Sequence, residues 1–201
     1  MRIFLALCCL VALSARAETF SAKVIVVMDG DTVMVLRDCD SPVAKAVGEQ
    51  RHSSCKRKLK IRLSNVDAPE MEQAFGRQSR DSLQELLGDR EVQIDSRAVD
   101  KFGRIVGMIS AGGLNINQEQ VRRGMAWAAP GWYKKRRIQE KPVAGGAAPA
   151  LHANAGKTFI TLQNEARLGR RGLWEQANPL PPWQWRKLHA VEKPSASANH
   201  H

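Results

Sequence analysis

Short runs of alternating apolar and polar residues recur through the first half of the chain, a pattern typical of half-buried β-strands. Two of these runs, Lys23–Met28 and Val33–Leu36, flank the tight-turn sequence Asp29-Gly30 and so predict a β-hairpin. Further strands are predicted at Leu59–Leu63, Glu91–Asp95 and Ile105–Ile109. The pattern therefore predicts five short strands.

Three other segments combine apolar residues at helical spacing with a glycine at the C-terminal end, where glycine commonly terminates a helix. These segments are Ala74–Leu87 before Gly88, Asn115 or Asn117 to Arg123 before Gly124, and Phe159–Arg171 before Gly172. Asparagine is a favoured N-cap residue, so either asparagine can begin the second helix. The predicted order of elements is βββαββαα.

Five antiparallel strands with a helix inserted after the third are typical of an α+β OB-fold, a small barrel that commonly binds oligonucleotides. We therefore predict an OB-fold five-stranded β-barrel with about three helices, in one domain over 18–187. Polar or small-residue stretches near 38–57 and 141–157 are expected to be insertions, and 188–201 a polar C-terminal tail.

The N-terminal segment 1–17 has the organisation of a secretion signal. Arg2 is followed by the apolar run Ile3–Leu13 and by small residues that match a cleavage site ending at Ala17. This run is shorter than the roughly 20 residues that a membrane-spanning helix needs, so we expect cleavage and no stable membrane insertion afterwards. The mature protein is then expected in the periplasm or outside the cell.

The chain is strongly basic, with a formal net charge of +11, and loss of the leader removes only two of these positive charges. Such a balance favours a polyanionic partner. Charge alone leaves nucleic acid, acidic glycan and anionic lipid open as that partner.

The mature chain keeps two of the four cysteines, Cys39 and Cys55, because Cys8 and Cys9 belong to the leader. An even pair in an oxidising compartment predicts a disulfide bond. A zinc site would need four ligands at short spacing, and His52 is the only further candidate nearby.

Three short motifs bring together the residue types that phosphodiester chemistry requires. They are Asp29-Gly30-Asp31-Thr32, the stretch from Arg62 to Glu70 that contains Asp67-Ala68-Pro69-Glu70, and Asp100-Lys101-Phe102-Gly103-Arg104. Each motif alone is compatible with an ordinary turn. Together, in order and spacing, they closely resemble the thermonuclease (staphylococcal nuclease-like) family over about Lys23–Trp174. The ending Pro181–Arg186 also resembles the close of bacterial members.

This resemblance implies a role for each motif residue. Asp31 and Asp67 would supply calcium carboxylates and Ala68 a backbone carbonyl. Glu70 would be the general base, Arg62 and Arg104 the phosphate clamps, and Lys101 a substrate contact. The family's reaction is attack by water on phosphorus with departure of the 5′-oxygen, which leaves 3′-phosphate ends on DNA or RNA.

The residue types suit that chemistry independently of the resemblance. A phosphodiester is anionic, and negative charge grows on its oxygens during attack, so a preorganised cation lowers the barrier. Arginine pairs with two phosphate oxygens at once through its planar guanidinium. Carboxylate and carbonyl oxygens, without a His or Cys cluster, favour calcium over zinc or copper.

The sequence departs from the family pattern at Phe102 and in the loop after Glu70, which is shorter than in the family. Phe102 stands where the family's type member has a tyrosine, so a hydroxyl contact to phosphate is lost. Trp132 and Tyr133 lie beside the basic run Lys134–Arg137, and aromatics among basic residues suit the stacking of single-stranded bases. The alternative is that the basic run is merely solvated and that Trp127, nearby, packs in the core.

Two function classes remain: an exported calcium-dependent endonuclease that acts as a monomer, and a non-catalytic OB-fold module that binds nucleic acid or another polyanion. A binding module has no need of the charged site. The five charged site residues are nevertheless all present: Asp31, Arg62, Asp67, Glu70 and Arg104. We therefore predict the enzyme.

Overall fold

Five strands wind into a closed barrel in the computed structural model, which describes residues 18–38, 56–129 and 157–190. The barrel strands are β1 (Glu18–Val27), β2 (Thr32–Asp38), β3 (Lys56–Leu63), β5 (Glu91–Val99) and β6 (Ile105–Ala111). Neighbours pair antiparallel in the order β3-β2-β1-β5-β6, and a parallel pairing of β3 with β6 closes the barrel. The predicted α+β OB-fold is confirmed.

Three short strands lie outside the barrel walls: β4 (Val66–Asp67), β7 (Leu114–Asn115) and β8 (Trp127–Ala128). Strand β7 extends the sheet beyond β6, whereas β4 pairs antiparallel with β8. In that pair Asp67 lies opposite Trp127. The segment that follows β3 is thereby held against a strand from much later in the chain.

The described helices are α1 (Gly76–Leu87), α2 (Ile116–Arg122), α3 (Phe159–Leu168) and α4 (Pro182–Ala190), with a 3-10 turn at Gly172–Glu175. Asn115 caps α2, because its side chain accepts a hydrogen bond from the Gln118 amide. The predicted third helix was too long. It ends before Gly169, and Arg170, with a φ of 46°, turns the chain before the 3-10 turn begins.

Helix α4 was not predicted. It begins at Pro182, and proline suits the first position of a helix because its missing N–H would have no intrahelical acceptor there. The helix extends to Ala190, inside the predicted tail. Within the described residues, no helix is both long and apolar enough to cross a membrane.

The core follows from the strand alternation. Val33 and Val35 of β2, Ile61 of β3, and Leu83 and Leu87 of α1 are all fully buried. A second, smaller cluster contains Trp127, Trp174 and Leu173, with Trp183 of α4 packed against it. Trp127 is therefore a packing residue, which is the alternative that the sequence left open.

Contacts from two helices fix the β1–β2 turn. A Cβ atom on Gly30 would lie only 1.8 Å from the Ser79 hydroxyl of α1, so no larger residue fits without displacement. Gln120 of α2 donates to the Gly30 carbonyl at 2.9 Å and to the Ser79 carbonyl at 3.1 Å. The position of the following residue, Asp31, is thus set by the packing of α1 and α2 on the turn.

Candidate active site

An arginine bridges two buried aspartates at the end of β3. The Arg62 Nη2 atom lies 3.0 Å from Asp31 Oδ2 and 3.0 Å from Asp67 Oδ1. Strand register explains the first contact, because Arg62 pairs with Thr32, the residue after Asp31. The second follows from the turn that carries the chain from β3 into β4.

The guanidinium of Arg62 is held firmly in place. Its Nη1 atom donates to the carbonyls of Leu63 at 2.7 Å and Val66 at 2.9 Å, while Nη2 faces the two aspartates. The Nη groups are therefore engaged with protein acceptors. A guanidinium that is already oriented loses little conformational freedom when it meets an anionic ligand.

Asp31 joins the two halves of the site. Its Oδ2 atom accepts a hydrogen bond from the backbone amide of Ala68 at 2.8 Å, and Oδ1 accepts one from the Thr32 hydroxyl at 3.0 Å. The predicted metal-site residues Asp31, Asp67 and Ala68 are thus brought together. The contact from Ala68 to Asp31 is made by the amide of Ala68.

A third aspartate, Asp29, lies behind Asp31. Its Oδ1 atom accepts a hydrogen bond from the Asp31 amide at 2.9 Å. Burial, together with repulsion from the Asp31 carboxylate, raises the pKa of Asp29 to about 7. The β1–β2 turn thus places two carboxyl groups, those of Asp29 and Asp31, next to each other.

Glu70 lies at the rim of the cluster, and it is joined there by a residue that sequence reasoning did not assign to the site. Arg186 of α4 donates from Nη1 to Glu70 Oε1 at 2.6 Å and from Nη2 to Asp67 Oδ2 at 2.7 Å. The only sequence signal was the ending Pro181–Arg186, which matched the family without a role. Nothing local indicated that it would reach Asp67.

Burial and charge act against each other at Asp67 and Arg186. Burial raises the pKa of Asp67 above its ordinary value, although the hydrogen bond from Arg186 and the charge of Arg62 oppose the shift. Burial disfavours the charged form of Arg186, but hydrogen bonds to Asp67 and Glu70 outweigh that effect and raise its pKa. Arg186 is therefore a permanent cation at this site.

Arg104, the second predicted clamp, is not in contact with this cluster. It immediately precedes Ile105, which pairs with Ile61 one position before Arg62, so it enters the barrel wall beside β3. Its Nε atom donates to Asp100 Oδ2 at 2.7 Å, within the β5–β6 turn. The structure therefore places Arg104 near β3 and directs its side chain to Asp100.

The predicted substrate contacts are described only in part. Lys101 is exposed in the same turn, with its ammonium 5.0 Å from the centre of the exposed Phe102 ring. Trp132 and Tyr133 lie outside the described residues, as do Cys39 and Cys55. Their predicted roles remain predictions.

The donor set suits a hard cation. Three carboxylates, Asp31, Asp67 and Glu70, face two guanidiniums, with Asp29 behind them. Among the residues that the structure describes, no group of three or more His, Cys, Asp or Glu side chains has metal-binding geometry. Asp31 and Asp67 both lie 3.0 Å from Arg62 Nη2, and their carboxylate oxygens are of the type that calcium accepts as ligands.

A small OB-fold barrel with arginines and carboxylates gathered at the end of one strand has the residue types that phosphodiester hydrolysis requires. The family model described as Staphylococcal nuclease homologue matches residues 60–176. The chain belongs to this family, and it is a nuclease.

Named relatives agree with this assignment. The chain is 36% identical to an uncharacterized endonuclease of Escherichia coli, over 82% of this chain and 83% of that protein. It is 33% identical to a micrococcal nuclease of Shigella flexneri, over 89% of this chain and 86% of the relative. A probable staphylococcal-like nuclease of Oryza sativa subsp. japonica is 34% identical over 65% of this chain and 29% of its own length.

Proposed function

We propose that this nuclease is an exported, calcium-dependent, monomeric endonuclease that hydrolyses both DNA and RNA and leaves 3′-phosphate ends. The observation that carries the proposal is the position of Arg62 between Asp31 and Asp67, with Glu70 beside Asp67 through Arg186. This arrangement combines oxygen donors, an oriented guanidinium and a carboxylate base within one cluster.

In this proposal, metal binding and base catalysis are carried out by different residues of the cluster. Asp31, Asp67 and the Ala68 carbonyl would hold calcium, which when bound supplies Lewis-acid stabilisation of the phosphoryl oxygens. Glu70 accepts a proton from the attacking water, the water oxygen bonds to phosphorus, and the bond to the 5′-oxygen breaks. Glu70 suits this role because Arg186 binds its Oε1 atom, which leaves Oε2 for the water.

Two arginines neutralise the charge that develops. Arg62 is oriented by backbone carbonyls, but its Nη2 atom is bound to Asp31 and Asp67, so Arg62 would have to share or exchange those partners to bind a phosphate. Arg104 is held by Asp100 and would have to share or exchange that partner to reach the same phosphate. Both are arginines rather than lysines, which suits bidentate pairing with phosphate oxygens.

The outer face of β3 supports nucleic acid as the substrate. Lys56, Lys58 and Lys60 are exposed and lie on the same strand face as Arg62, because side chains alternate along a strand. Same-face residues are spaced by about 6.8 Å, which offers one ammonium per nucleotide of an extended strand. Half-buried Leu36 and Met34 lie opposite Lys58 and Lys60 and provide apolar surface for bases.

A cleavage assay tests the proposal. Labelled single-stranded and duplex DNA and RNA are incubated with the mature protein in calcium or in excess chelator, and the product ends are analysed. We expect cleavage of both nucleic acids in calcium, none in chelator, and 3′-phosphate ends. Binding without cleavage would instead support the OB-fold binding module.

The sharpest variant is Glu70→Gln, which preserves shape while removing the base. Single-turnover cleavage should fall by about 10²–10⁴, with oligonucleotide affinity maintained or slightly increased because one negative charge is lost. Glu72→Gln, two residues away at an exposed position, is the matched control. A Glu70→Gln rate within about threefold of that control would refute the base assignment.

Export rests on the leader-like segment 1–17, which lies outside the described residues. Mass spectrometry of protein purified from the periplasm or the culture medium gives the test. We expect the mature chain to begin at Glu18. An intact leader on protein retained in the cytoplasm would contradict export.

A further inference from the structure

The C-terminal segment makes two contacts with the chain around Glu70 and a third with Trp127, the strand partner of Asp67. This segment, Leu180–Ala190, lies beyond the 60–176 range of the family match. Its position is set by contacts with residues inside that range. Each contact is made with Glu70 or Asp67, or with a residue that bonds to or pairs with one of them.

The first contact is made by Arg186. Its guanidinium binds Asp67 through both Nη atoms, at 2.7 and 3.3 Å, while Nη1 also binds Glu70 Oε1 at 2.6 Å. One planar group thus sets the Glu70 carboxylate relative to the Asp67 carboxylate. Charge-assisted, bidentate hydrogen bonds are the strongest and most directional of protein hydrogen bonds.

The second contact is made by Gln73 and acts on the backbone of the same residue. Its Oε1 atom accepts a hydrogen bond from the Glu70 amide at 3.2 Å, and its Nε2 atom donates to the Leu180 carbonyl at 2.5 Å. Gln73 is buried, so its amide group has few alternative orientations. The start of the C-terminal segment is therefore tied to the main chain of Glu70.

The third contact anchors α4 next to Asp67. Trp183 packs edge-on against Trp127, with ring centroids 5.5 Å apart, and Trp127 is the strand partner of Asp67. Trp127 also contacts Trp174 at 4.4 Å. The helix that carries Arg186 is thus fixed by aromatic packing at the strand pair that carries the proposed metal ligand.

From these contacts we propose that α4 completes the active site and that Arg186 is a positioning residue for Glu70. Arg186 holds Oε1 of Glu70 beside Asp67, so that Oε2 meets the attacking water. The inference rests on the proposed function, because it concerns the base of that reaction. It assigns a role to a segment beyond residues 60–176, the range of the family match.

A double-variant cycle tests whether Arg186 acts through Glu70. The variants are Arg186→Met, Glu70→Gln and the two combined, with Lys187→Met as the control for losing one positive charge from the same helix. Single-turnover cleavage is measured at saturating enzyme and calcium. We expect Arg186→Met to reduce the rate by about 10–100-fold, as loss of an orienting partner typically does. In the Glu70→Gln background the further loss should be within about twofold.

Three readouts separate positioning from other effects. Calcium affinity, measured by calorimetry, should hold or rise in Arg186→Met, because one cation has left Asp67. Oligonucleotide affinity in chelator should match that of Lys187→Met. Arg186→Lys should recover part of the rate, because lysine keeps the charge and donates to Glu70 but cannot form the planar bridge. If Arg186→Met does not fold in thermal melting, the cycle is run with Arg186→Lys.

Distinct results would overturn the two proposals. Equal losses from the Arg186 substitution in both backgrounds would mean that Arg186 acts independently of Glu70, and would overturn the positioning role. A rate equal to that of Lys187→Met, or a fall in calcium affinity that accounts for the lost rate, would do the same. An active Glu70→Gln enzyme would instead contradict the proposed function.

Discussion

Arg104 is held by Asp100 across the β5–β6 turn, through a hydrogen bond of 2.7 Å from Nε to Oδ2. Asp100 Oδ1 also accepts hydrogen bonds from the amides of Phe102 and Arg104. The carboxylate therefore organises the turn and orients the proposed phosphate clamp at once. The pKa of Asp100 is affected accordingly: burial favours the neutral form, but the hydrogen bonds outweigh it and lower the pKa.

Substitution of Asp100 should weaken the action of Arg104 without removing its charge. We expect Asp100→Asn to reduce the rate of single-turnover cleavage by about tenfold or more, because Arg104 loses the partner that orients it. Arg104→Ala, which removes the guanidinium itself, should reduce the same rate by about 10²–10³. Asp81→Asn, an exposed aspartate of α1, provides the control. An Asp100→Asn enzyme as fast as the control would show that Arg104 is oriented by other means.

The lowered pKa of Asp100 also predicts an acid dependence of stability. A carboxyl group with a depressed pKa contributes stability that is present above its ordinary pKa and is lost as pH falls through the lowered value. The loss of stability in wild type below about pH 4 should therefore be smaller in Asp100→Asn. Urea denaturation at a series of acidic pH values measures this difference, and parallel curves would contradict it.

Calcium dependence should be sensitive to Asp31. We expect Asp31→Asn to raise the calcium concentration for half-maximal cleavage by about tenfold or more, because it removes one of two ligand charges. Asparagine keeps one oxygen that can accept the hydrogen bond from the Ala68 amide, and its NH2 group can donate to the Thr32 hydroxyl, so the local fold should survive. Calcium titrations of cleavage and of binding heat measure the shift. Identical calcium requirements in wild type and Asp31→Asn would exclude Asp31 as a ligand.

The lysine face of β3 predicts the salt dependence of substrate binding. Each phosphate contact on a single strand contributes about 0.7 to the slope of log K against log salt. Lys58→Gln with Lys60→Gln should therefore lower the slope by about 1.4. Arg77→Gln with Lys187→Gln removes equal charge from exposed positions outside β3. Equal slopes for the two double variants would mean that β3 makes no phosphate contact.

The disulfide between Cys39 and Cys55 stays a prediction, and the strand residues next to the two cysteines in sequence pair with each other. Asp38 pairs with Lys56, and these residues immediately precede Cys39 and follow Cys55. A bridge closing this loop of about 16 residues should stabilise the protein by about 3 kcal/mol. We expect no free thiol in the denatured, unreduced mature protein. Two titratable thiols per chain would disprove the bond.

The barrel and most of its helix positions were predictable because they depend on local patterns. Strand alternation and the Asp29-Gly30 turn marked the strands, and Gly88 and Gly124 marked the ends of two helices. The third helix was overestimated because the left-handed backbone of Arg170 breaks it before the apolar pattern ends. Helix α4 was missed because its nine residues carry little helical periodicity.

The sequence named the residues that the structure brings together, Asp31, Arg62, Asp67 and Glu70, because they belong to short motifs whose internal spacing survives folding, and their catalytic roles stay predictions. Their association was decided by the tertiary structure. The pairing of Arg62 with Thr32 brings the first two motifs together, since strand register depends on contacts between distant segments. The contact of Arg186 with Asp67 and Glu70 needed the whole fold: it spans more than a hundred residues and depends on where Trp127 places α4, which no local pattern encodes.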